Sequence, residues 1–317
     1  MQFSSLKPGL TVAIPYYSGL EYLRLAIESL LRQSNSNWNC IVIDDRGGES
    51  AEQLVRGFSS EKIIYLKNET TLGLSSNWNR LIQLTETELL TIFHADDVMG
   101  ENFINNTLAS FANYPEIAAS HCRARLIDDK GRSVSSINQI IKNFVRFSFH
   151  KDSLKLKGDR GLRSIALANW IICPTLTYRT QILKEIKFNN SLNFACDLEL
   201  IARLLFADLI IHSRNEYDYS YRTHKGSQTA RMKQLDQRFQ EEWAVISWIG
   251  KTGEQRDWHR TRFVSRFKPI LRMHMAFEAF MHLLHSEAKL AMRLLWWAIY
   301  KPPTRQIYFV PQTNQKL

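Results

Sequence analysis

The sequence predicts an α/β protein in which a mostly parallel sheet is flanked by helices. Short apolar runs typical of buried strands alternate with segments in which apolar residues recur at helical spacing. Two of the predicted strands end in paired acids, and helical spacing dominates from residue 237 onward. The chain has 317 residues, which is room for one large α/β domain with an appendage or for two small domains.

Strand and helix alternate without interruption up to residue 93. The predicted strands cover residues 10–16, 38–45, 62–67 and 89–93, and the predicted helices cover residues 21–33, 51–58 and 75–84. Strands joined by helices in this way form right-handed crossovers. We therefore expect a parallel sheet with helices packed on its faces.

Paired acids come after the second and fourth predicted strands, as Asp44-Asp45 and as Asp96-Asp97. In open α/β sheets the carboxyl ends of the strands border the ligand crevice. One such pair could simply cap a helix, for example one starting at Val98. Two pairs at one edge of a sheet make capping an insufficient explanation for both. Asp96 and Asp97 are candidate ligands of Mg²⁺ or Mn²⁺, ions that commonly reach a protein through carboxylates and substrate phosphates.

The turn after the first predicted strand lacks a glycine-rich phosphate-binding pattern. It has no GxGxxG, which disfavours a dinucleotide-binding Rossmann protein, and no GxxxxGK[ST] is present in the chain. We therefore expect a metal ion, and not a glycine-rich loop, to hold the phosphates of a bound nucleotide.

The second half of the chain is predicted to extend the sheet and then to become helical. We expect a strand and hairpin over residues 117–134 with its turn at 128–131, a basic irregular loop over 144–163, a strand over 170–178, and a helix within 192–207 that has Asp197 in its first turn. An acid at that position favours the helix by itself. Residues 219–232 are polar, basic and glycine-containing, and residues 276–300 form an amphipathic helical pattern.

The positive charge is concentrated at one end of the chain. Residues 222–317 contain 17 Lys and Arg against 7 Asp and Glu, which accounts for the whole net charge of +10. A basic, aromatic-rich amphipathic helix suits an anionic membrane surface, although packing on the rest of the protein explains its apolar face equally well. No nucleic-acid recognition module is recognisable, so a nucleic-acid partner is not expected.

Cysteine usage and hydropathy favour a cytoplasmic protein. Four scattered cysteines without a CxxC pair indicate reduced thiols and disfavour a zinc site or a disulfide framework. The start of the chain lacks the pattern of a signal peptide, and no apolar run approaches the ~18 residues that a membrane-spanning helix requires. Any membrane contact is therefore expected to be peripheral, on the inner face of the cell membrane.

Two stretches of the chain resemble a known family. The runs VAIPYYSGLEYLRLAIESLLRQSNSNWNCIVIDDRGGE and LKNETTLGLSSNWNRLIQLTETELLTIFHADD resemble the nucleotide-binding half of the GT-A glycosyltransferases of family 2. In that family the first strand ends in a Pro-x-Tyr-Asn-like turn, the second in Asp-Asp and the fourth in an Asp-x-Asp type metal motif. The resemblance is strong over about residues 10–110 and weaker to about residue 230.

The resemblance implies a GT-A type, Rossmann-like sheet and a set of donor-binding residues. By analogy Pro15 and Tyr16 line the nucleotide pocket, Asp44 or Asp45 holds the base or ribose, Asn77 and Arg80 touch the nucleotide or its sugar, Asp96 is the metal ligand, and Arg222 and His224 close over the diphosphate. His94 stands where many relatives have the first Asp of the metal motif. It is expected either to end the strand as an ordinary polar residue or to act as a metal ligand or its supporting partner.

The resemblance also implies a catalytic base and a division of the chain. Family members carry an acid, usually within Glu-Asp, at the position of Asp197; here the pair is Cys196-Asp197, so Asp197 is the expected base and Glu199 the fallback. The expected organisation is a catalytic domain at residues 1–235, with a nucleotide-binding half at about 10–110 and an acceptor half at about 111–235. Residues 236–317 would form a basic, amphipathic helical C-terminal appendage.

The implied activity is transfer of a sugar, with inversion, from a nucleotide diphosphate sugar to an acceptor hydroxyl. A glycan or a lipid-linked acceptor in surface polysaccharide synthesis is the expected partner, with Mg²⁺ or Mn²⁺ as cofactor. Two alternatives remain at this point. A sugar nucleotidyltransferase shares the layout and metal dependence, and a catalytically inactive nucleotide-sugar-binding protein would tolerate His94 and Cys196.

Overall fold

The computed structural model describes residues 6–46, 49–150, 155–224, 237–284, 286–303 and 307–309. The strands in these ranges are β1 Lys7–Tyr16, β2 Trp38–Asp44, β3 Ile63–Lys67, β4 Thr87–Ile92, β5 Val98–Met99, β6 Ile117–His121, β7 Ala124–Ile127, β8 Lys155–Leu156, β9 Leu176–Arg179, β10 Ile210–Ser213 and β11 Tyr219–Arg222. The helices are α1 Leu20–Leu31, α2 Glu49–Gly57, α3 Leu74–Leu84, α4 Phe103–Asn113, α5 Ile137–His150, α6 Gly158–Ala168, α7 Thr180–Ile186, α8 Cys196–Phe206, α9 Gln237–Gln255, α10 His259–Phe267, α11 Pro269–Leu284 and α12 Ala288–Ile299.

An eight-stranded sheet organises the molecule, in the order β3-β2-β1-β4-β9-β6-β10-β8. Strands β1 to β4 run parallel to one another, and β6 pairs in parallel with β10. Strand β9 is antiparallel to both β4 and β6. A second sheet has the order β5-β11-β7. The prediction of a mostly parallel sheet with flanking helices is confirmed.

The apolar run of β1 explains why this strand lies at the centre of the sheet. Val12, Ala13 and Ile14 are fully buried, so both faces of the strand are covered. Helix α1 covers one of those faces with Leu23 and Ile27, which its helical period places on the same side. Each large apolar side chain buried in this way contributes about 1.5–3 kcal/mol to stability.

The paired acids after β4 do not cap a helix. Val98 and Met99 form the short strand β5, and the next helix, α4, begins only at Phe103. The capping explanation is therefore wrong for Asp96 and Asp97.

The prediction of a basic loop at residues 144–163 is wrong for the described part of this segment, because α5 and α6 occupy most of it. Residues 151–154 lie outside the described ranges. Helix α5 was missed because its apolar residues do not form a single buried face. Val145 is buried in the apolar core, but Ile140, Phe144 and Phe147 are 60–70% exposed.

Two shorter predictions need correction. Residues 170–178 are not one strand, because a 3₁₀-helix at Cys173–Thr175 precedes β9. The predicted strand and hairpin at 117–134 divide between two sheets, since β6 belongs to the large sheet and β7 to the small one. The turn at 128–131 is present, and the Asp128 carboxylate accepts hydrogen bonds from the backbone N–H groups of Lys130 and Arg132.

The C-terminal helices pack on the sheet domain. Buried residues of α9, α11 and α12 belong to the same apolar core as α6 and α8. The hydroxyl of Thr261 in α10 donates to the Asp159 carboxylate in α6 at 2.6 Å. Among the described helices none combines the length and the apolar character that a membrane span requires.

The single helix expected at residues 276–300 is instead a pair, α11 and α12. The buried residues of the pair are Leu271, Met275, Ala279, Ala291, Leu294, Trp297 and Ala298. Most of the predicted apolar face is exposed to solvent, since Phe280, Leu284 and Ile299 are 57–66% exposed.

Candidate functional site

A cavity of about 790 Å³ lies at the carboxyl ends of β1, β2 and β4. We call the residues at or just after the ends of these strands the strand side of the cavity: Pro15, Tyr16, Asp45, His94 and Asp96. Its helix side consists of Lys142 of α5, Asp197 of α8, and Arg238 and Glu242 of α9. Asp96 and Asp197, which are far apart in sequence, thus line one cavity.

Asp45 shapes the loop that closes the strand side. Its carboxylate accepts hydrogen bonds from the Asn68 side-chain amide at 2.6 Å and from the backbone N–H groups of Leu72 and Gly73 at 2.8 and 2.9 Å. Gly73 has a φ of 82°, which a residue with a Cβ rarely adopts. Asn77, which also lines the cavity, accepts a hydrogen bond from Asn68 at 2.9 Å.

Asp44 and Arg80 do not line the cavity. Either Asp44 or Asp45 was expected to hold the base or ribose, and Asp45 is the one that lines the cavity, whereas Arg80 was expected to touch the nucleotide or its sugar. The Asp44 carboxylate accepts hydrogen bonds from the Tyr65 hydroxyl at 2.8 Å and from the Arg46 backbone N–H at 3.0 Å. The Arg80 guanidinium donates to the Asn68 side chain at 2.6 Å. Arg80 therefore supports the loop that Asp45 binds, and Asp44 holds the turn that follows β2.

Asp96 and His224 meet at the cavity wall. The His224 Nε2 lies 2.9 Å from the Asp96 carboxylate, and the His224 ring packs against Tyr22 at 4.8 Å between centroids. Burial acts to raise the pKa of Asp96, but the hydrogen bond from His224 and the nearby His94 outweigh it and lower that pKa. Asp96 is thus an ionised carboxylate facing the cavity.

Asp97 lies behind Asp96 in the protein interior. Its carboxylate accepts hydrogen bonds from the Tyr219 hydroxyl at 2.8 Å and from the Arg222 backbone N–H at 2.7 Å. Burial and the adjacent Asp96 raise the pKa of Asp97 well above its ordinary value. The side chain does not line the cavity, so its position fits a supporting role better than direct coordination.

Arg222 holds the turn after β4 and does not reach into the cavity. Its side chain donates to the backbone oxygens of Asp96 at 2.7 Å and Asp128 at 3.0 Å, and it lies over the Tyr22 ring at 5.0 Å. The expectation that Arg222 closes over a diphosphate is therefore not supported by its position. Residues 225–232 of the expected lid lie outside the described ranges.

His94 and Asp96 offer the donor atoms of a metal site. Potential ligand atoms of His94, Asp96 and Asp97 lie within 4.8 Å of one another. The Nε2 of His94 is buried and has no hydrogen-bond partner among the described residues. Burial lowers the pKa of His94, which favours the neutral imidazole that binds metal ions. These residues fit a divalent ion.

Asp197 is a partly buried carboxylate in the first turn of α8. The Asp197 carboxylate accepts a hydrogen bond from the Leu198 backbone N–H at 2.7 Å. Burial raises its pKa to about 6, the Leu198 N–H and Lys142 act to lower it, and Glu242 acts to raise it. Glu199, the fallback base, lies in the interior, where the Arg203 guanidinium donates to it at 2.7 and 2.9 Å.

The residues of α9 were missed in the sequence analysis. Arg238 and Glu242 form an ion pair at 3.1 Å along the cavity wall, one helical turn apart. Their spacing of four residues predicts an ion pair along one helix, but it does not show where in the molecule that helix lies. Lys142 was missed for a different reason, since the expected loop at residues 144–163 overlaps its helix and no element was predicted at residue 142.

The sheet, the paired acids and the crevice define a GT-A type transferase fold. Residues 11–185 match the family described as Glycosyl transferase family 2. The chain therefore belongs to glycosyltransferase family 2.

Two curated relatives illustrate the range of similarity. The uncharacterized glycosyltransferase MJ1057 of Methanocaldococcus jannaschii is 22% identical over 220 residues, which cover 68% of this chain and 71% of the relative. The putative colanic acid biosynthesis glycosyl transferase WcaA of Escherichia coli K12 is 30% identical over 104 residues, which cover 32% of this chain and 37% of the relative.

Two solved structures share the fold over almost the whole chain. Residues 1–349 of TarS from S. aureus, in complex with UDP-GlcNAc, align with a TM-score of 0.57 at 14% identity and cover 96% of this chain and 97% of that one. The mannosyltransferase PcManGT of Pyrobaculum calidifontis, in complex with GDP-Man and Mn²⁺, aligns with a TM-score of 0.60 at 14% identity, with coverage of 93% and 84%.

Proposed function

We propose that the protein transfers a sugar from a nucleotide diphosphate sugar to an acceptor hydroxyl, with inversion and with a divalent metal ion. The observation that carries this proposal is that Asp96 and Asp197 line one cavity while their pKa values are displaced in opposite directions. Paired carboxyl groups with divergent pKa values commonly divide two chemical roles. The cavity volume is within the ordinary range for a small-molecule site.

The strand side is the proposed donor site. Pro15, Tyr16 and Asp45 lie where the carboxyl ends of parallel strands bind nucleotides in open α/β sheets, and Asn77 of α3 lines the same cavity. The complexes of the two structural relatives with UDP-GlcNAc and with GDP-Man and Mn²⁺ support a nucleotide-sugar donor. Asp96 and His94 would hold Mg²⁺ or Mn²⁺, with Asp97 fixing the turn from behind. Such an ion supplies Lewis-acid stabilisation of the charge on a departing diphosphate.

The helix side is the proposed acceptor site, with Asp197 as general base. The Asp197 carboxylate takes the proton of the acceptor hydroxyl while the acceptor oxygen forms a bond to the anomeric carbon. The bond from that carbon to the diphosphate oxygen breaks on the opposite face, which inverts the configuration. A base with a pKa of about 6 is ionised at neutral pH yet accepts a proton more readily than an ordinary aspartate.

We further propose a glycan or lipid-linked acceptor used in surface polysaccharide synthesis. The similarity to the putative colanic acid transferase supports this acceptor class. Helices α11 and α12 expose Phe280, Leu284, Trp296 and Ile299 in the region that carries the excess of Lys and Arg. An apolar surface among cations suits an anionic bilayer, on which a lipid-linked acceptor would be found.

The proposal is tested by screening nucleotide sugars with Mn²⁺ for protection against thermal unfolding. A ligand that binds only the native state raises the melting temperature. We expect one nucleotide family to protect, and its sugar to be transferred to an acceptor with the opposite anomeric configuration. Protection without transfer to any acceptor would favour a binding protein, and pyrophosphate release from a nucleoside triphosphate would favour a nucleotidyltransferase.

A further inference from the structure

Glu241 of α9 is a buried carboxylate that binds the segment leading into α8. It is fully buried and accepts hydrogen bonds from the backbone N–H groups of Asn193 at 3.0 Å, Phe194 at 2.7 Å and Ala195 at 3.1 Å. The Gln237 side chain donates to its other oxygen at 2.8 Å. A buried charge is tolerated only when it is hydrogen-bonded, and here four donors surround it.

The segment that Glu241 holds has no cap of its own. Ala195 occupies the N-cap position of α8, where a side-chain oxygen would ordinarily accept a hydrogen bond from the first turn. Alanine has no such oxygen. A carboxylate from another helix therefore lies at this positive helix end, where the macrodipole favours a negative charge.

The same segment forms part of the cavity wall. Asn193, Phe194 and Asp197 all line the cavity, and Asp197 lies two residues after the last amide that Glu241 binds. Any shift of this segment would move the Asp197 carboxylate relative to a bound acceptor. Because a misplacement of about 1 Å can reduce a rate by about 10²-fold, such an anchor matters for catalysis and not only for folding.

We infer that Glu241 is a positioning residue for Asp197, so that the C-terminal region completes the catalytic site. Glu241 touches neither the cavity nor a reacting group, and it acts through the segment Asn193–Ala195. This inference rests on the proposed function, because it assigns a role in the transfer step.

The test compares Glu241→Gln with a matched control. Gln keeps the size of the side chain but replaces one acceptor oxygen with a donor that faces N–H groups. Asp159→Asn is the control, because Asp159 also joins the sheet domain to a C-terminal helix, through Thr261, and does not line the cavity. Gln237→Leu is a milder second variant that removes only one donor from Glu241.

We expect Glu241→Gln to lower kcat by about 10²-fold at an unchanged KM for the donor. We also expect it to speed hydrogen exchange at the amides of residues 193–195. Gln237→Leu should lower kcat and speed exchange by smaller factors, and Asp159→Asn should change neither kcat nor the exchange rate. The inference is overturned if exchange at these amides is unaltered, or if the active wild type and Glu241→Gln have equal kcat. A wild-type protein without transfer activity would refute the proposed function instead, and the exchange measurement would still test the anchor.

Discussion

The strand side and the helix side of the cavity are assembled in different ways. Residues of the strand side lie at the carboxyl ends of three neighbouring strands of one sheet, so the sheet itself brings them together. Residues of the helix side come from α5, α8 and α9, and their positions depend on how these helices pack. Under the proposed function, donor binding would depend on the sheet, whereas acceptor activation would depend on the packing of helices that we infer Glu241 stabilises.

The largest expected effect on the strand side comes from Asp96→Asn. Loss of this ionised carboxylate should lower kcat/KM by about 10²–10³-fold, because charge on the leaving diphosphate would lose its stabilisation. It should also remove the protection by nucleotide sugar and Mn²⁺ against thermal unfolding. Asp129→Asn, at an exposed turn, is the control. If Asp96→Asn retained Mn²⁺-dependent protection, the donor site would lie elsewhere.

A smaller effect on the helix side concerns pH. Because burial raises the pKa of Asp197 to about 6, the base is protonated below that pH and the transfer rate should fall as pH falls through 6. Glu242→Gln removes a negative charge that raises this pKa, so the acidic limb should move to lower pH. Lys142→Met removes a cation that lowers the pKa, so the limb should move to higher pH.

These opposite shifts are checked by pH profiles of kcat/KM for the two variants and the wild type. Glu254→Gln, in α9 but not in the cavity lining, is the control. Shifts in the same direction, or an acidic limb that neither variant moves, would mean that another group sets the profile.

The parts that sequence analysis predicted correctly are those with strictly local causes. The run Leu89–Phe93 fixes a buried strand, and the residues just beyond the carboxyl end of such a strand lie at the crevice, so Asp96 could be placed at the cavity from the sequence. Asp44 could not be distinguished from Asp45, because side chains alternate along a strand and only the three-dimensional structure shows which one faces the ligand. Lys142 and Glu241 could not be found, since their roles arise from helix packing between distant segments.

The smallest expected effect on catalysis concerns the exposed apolar residues of α11 and α12. The double variant Phe280→Ser, Ile299→Ser should retain kcat with a soluble acceptor and lose binding to vesicles that contain phosphatidylglycerol. Ile64→Ser, at the exposed edge strand β3, is the control. Wild-type binding should weaken as salt rises.

Vesicle flotation and sedimentation together decide what covers this surface. If the wild type ignores anionic vesicles and sedimentation shows a dimer that the double variant loses, a second copy of the chain covers the surface and the membrane proposal fails.

The most direct test of the proposed mechanism is Asp197→Asn, measured for transfer and for nucleotide binding in the same preparation. We expect transfer to fall by at least about 10²-fold, as for loss of a general base, with nucleotide-sugar affinity unchanged. Because burial disfavours the ionised carboxylate, the variant should also be at least as stable as the wild type at pH 8. Transfer at the wild-type rate, or loss of nucleotide binding together with transfer, would contradict the claim that Asp197 is the base at a separate acceptor end of the cavity.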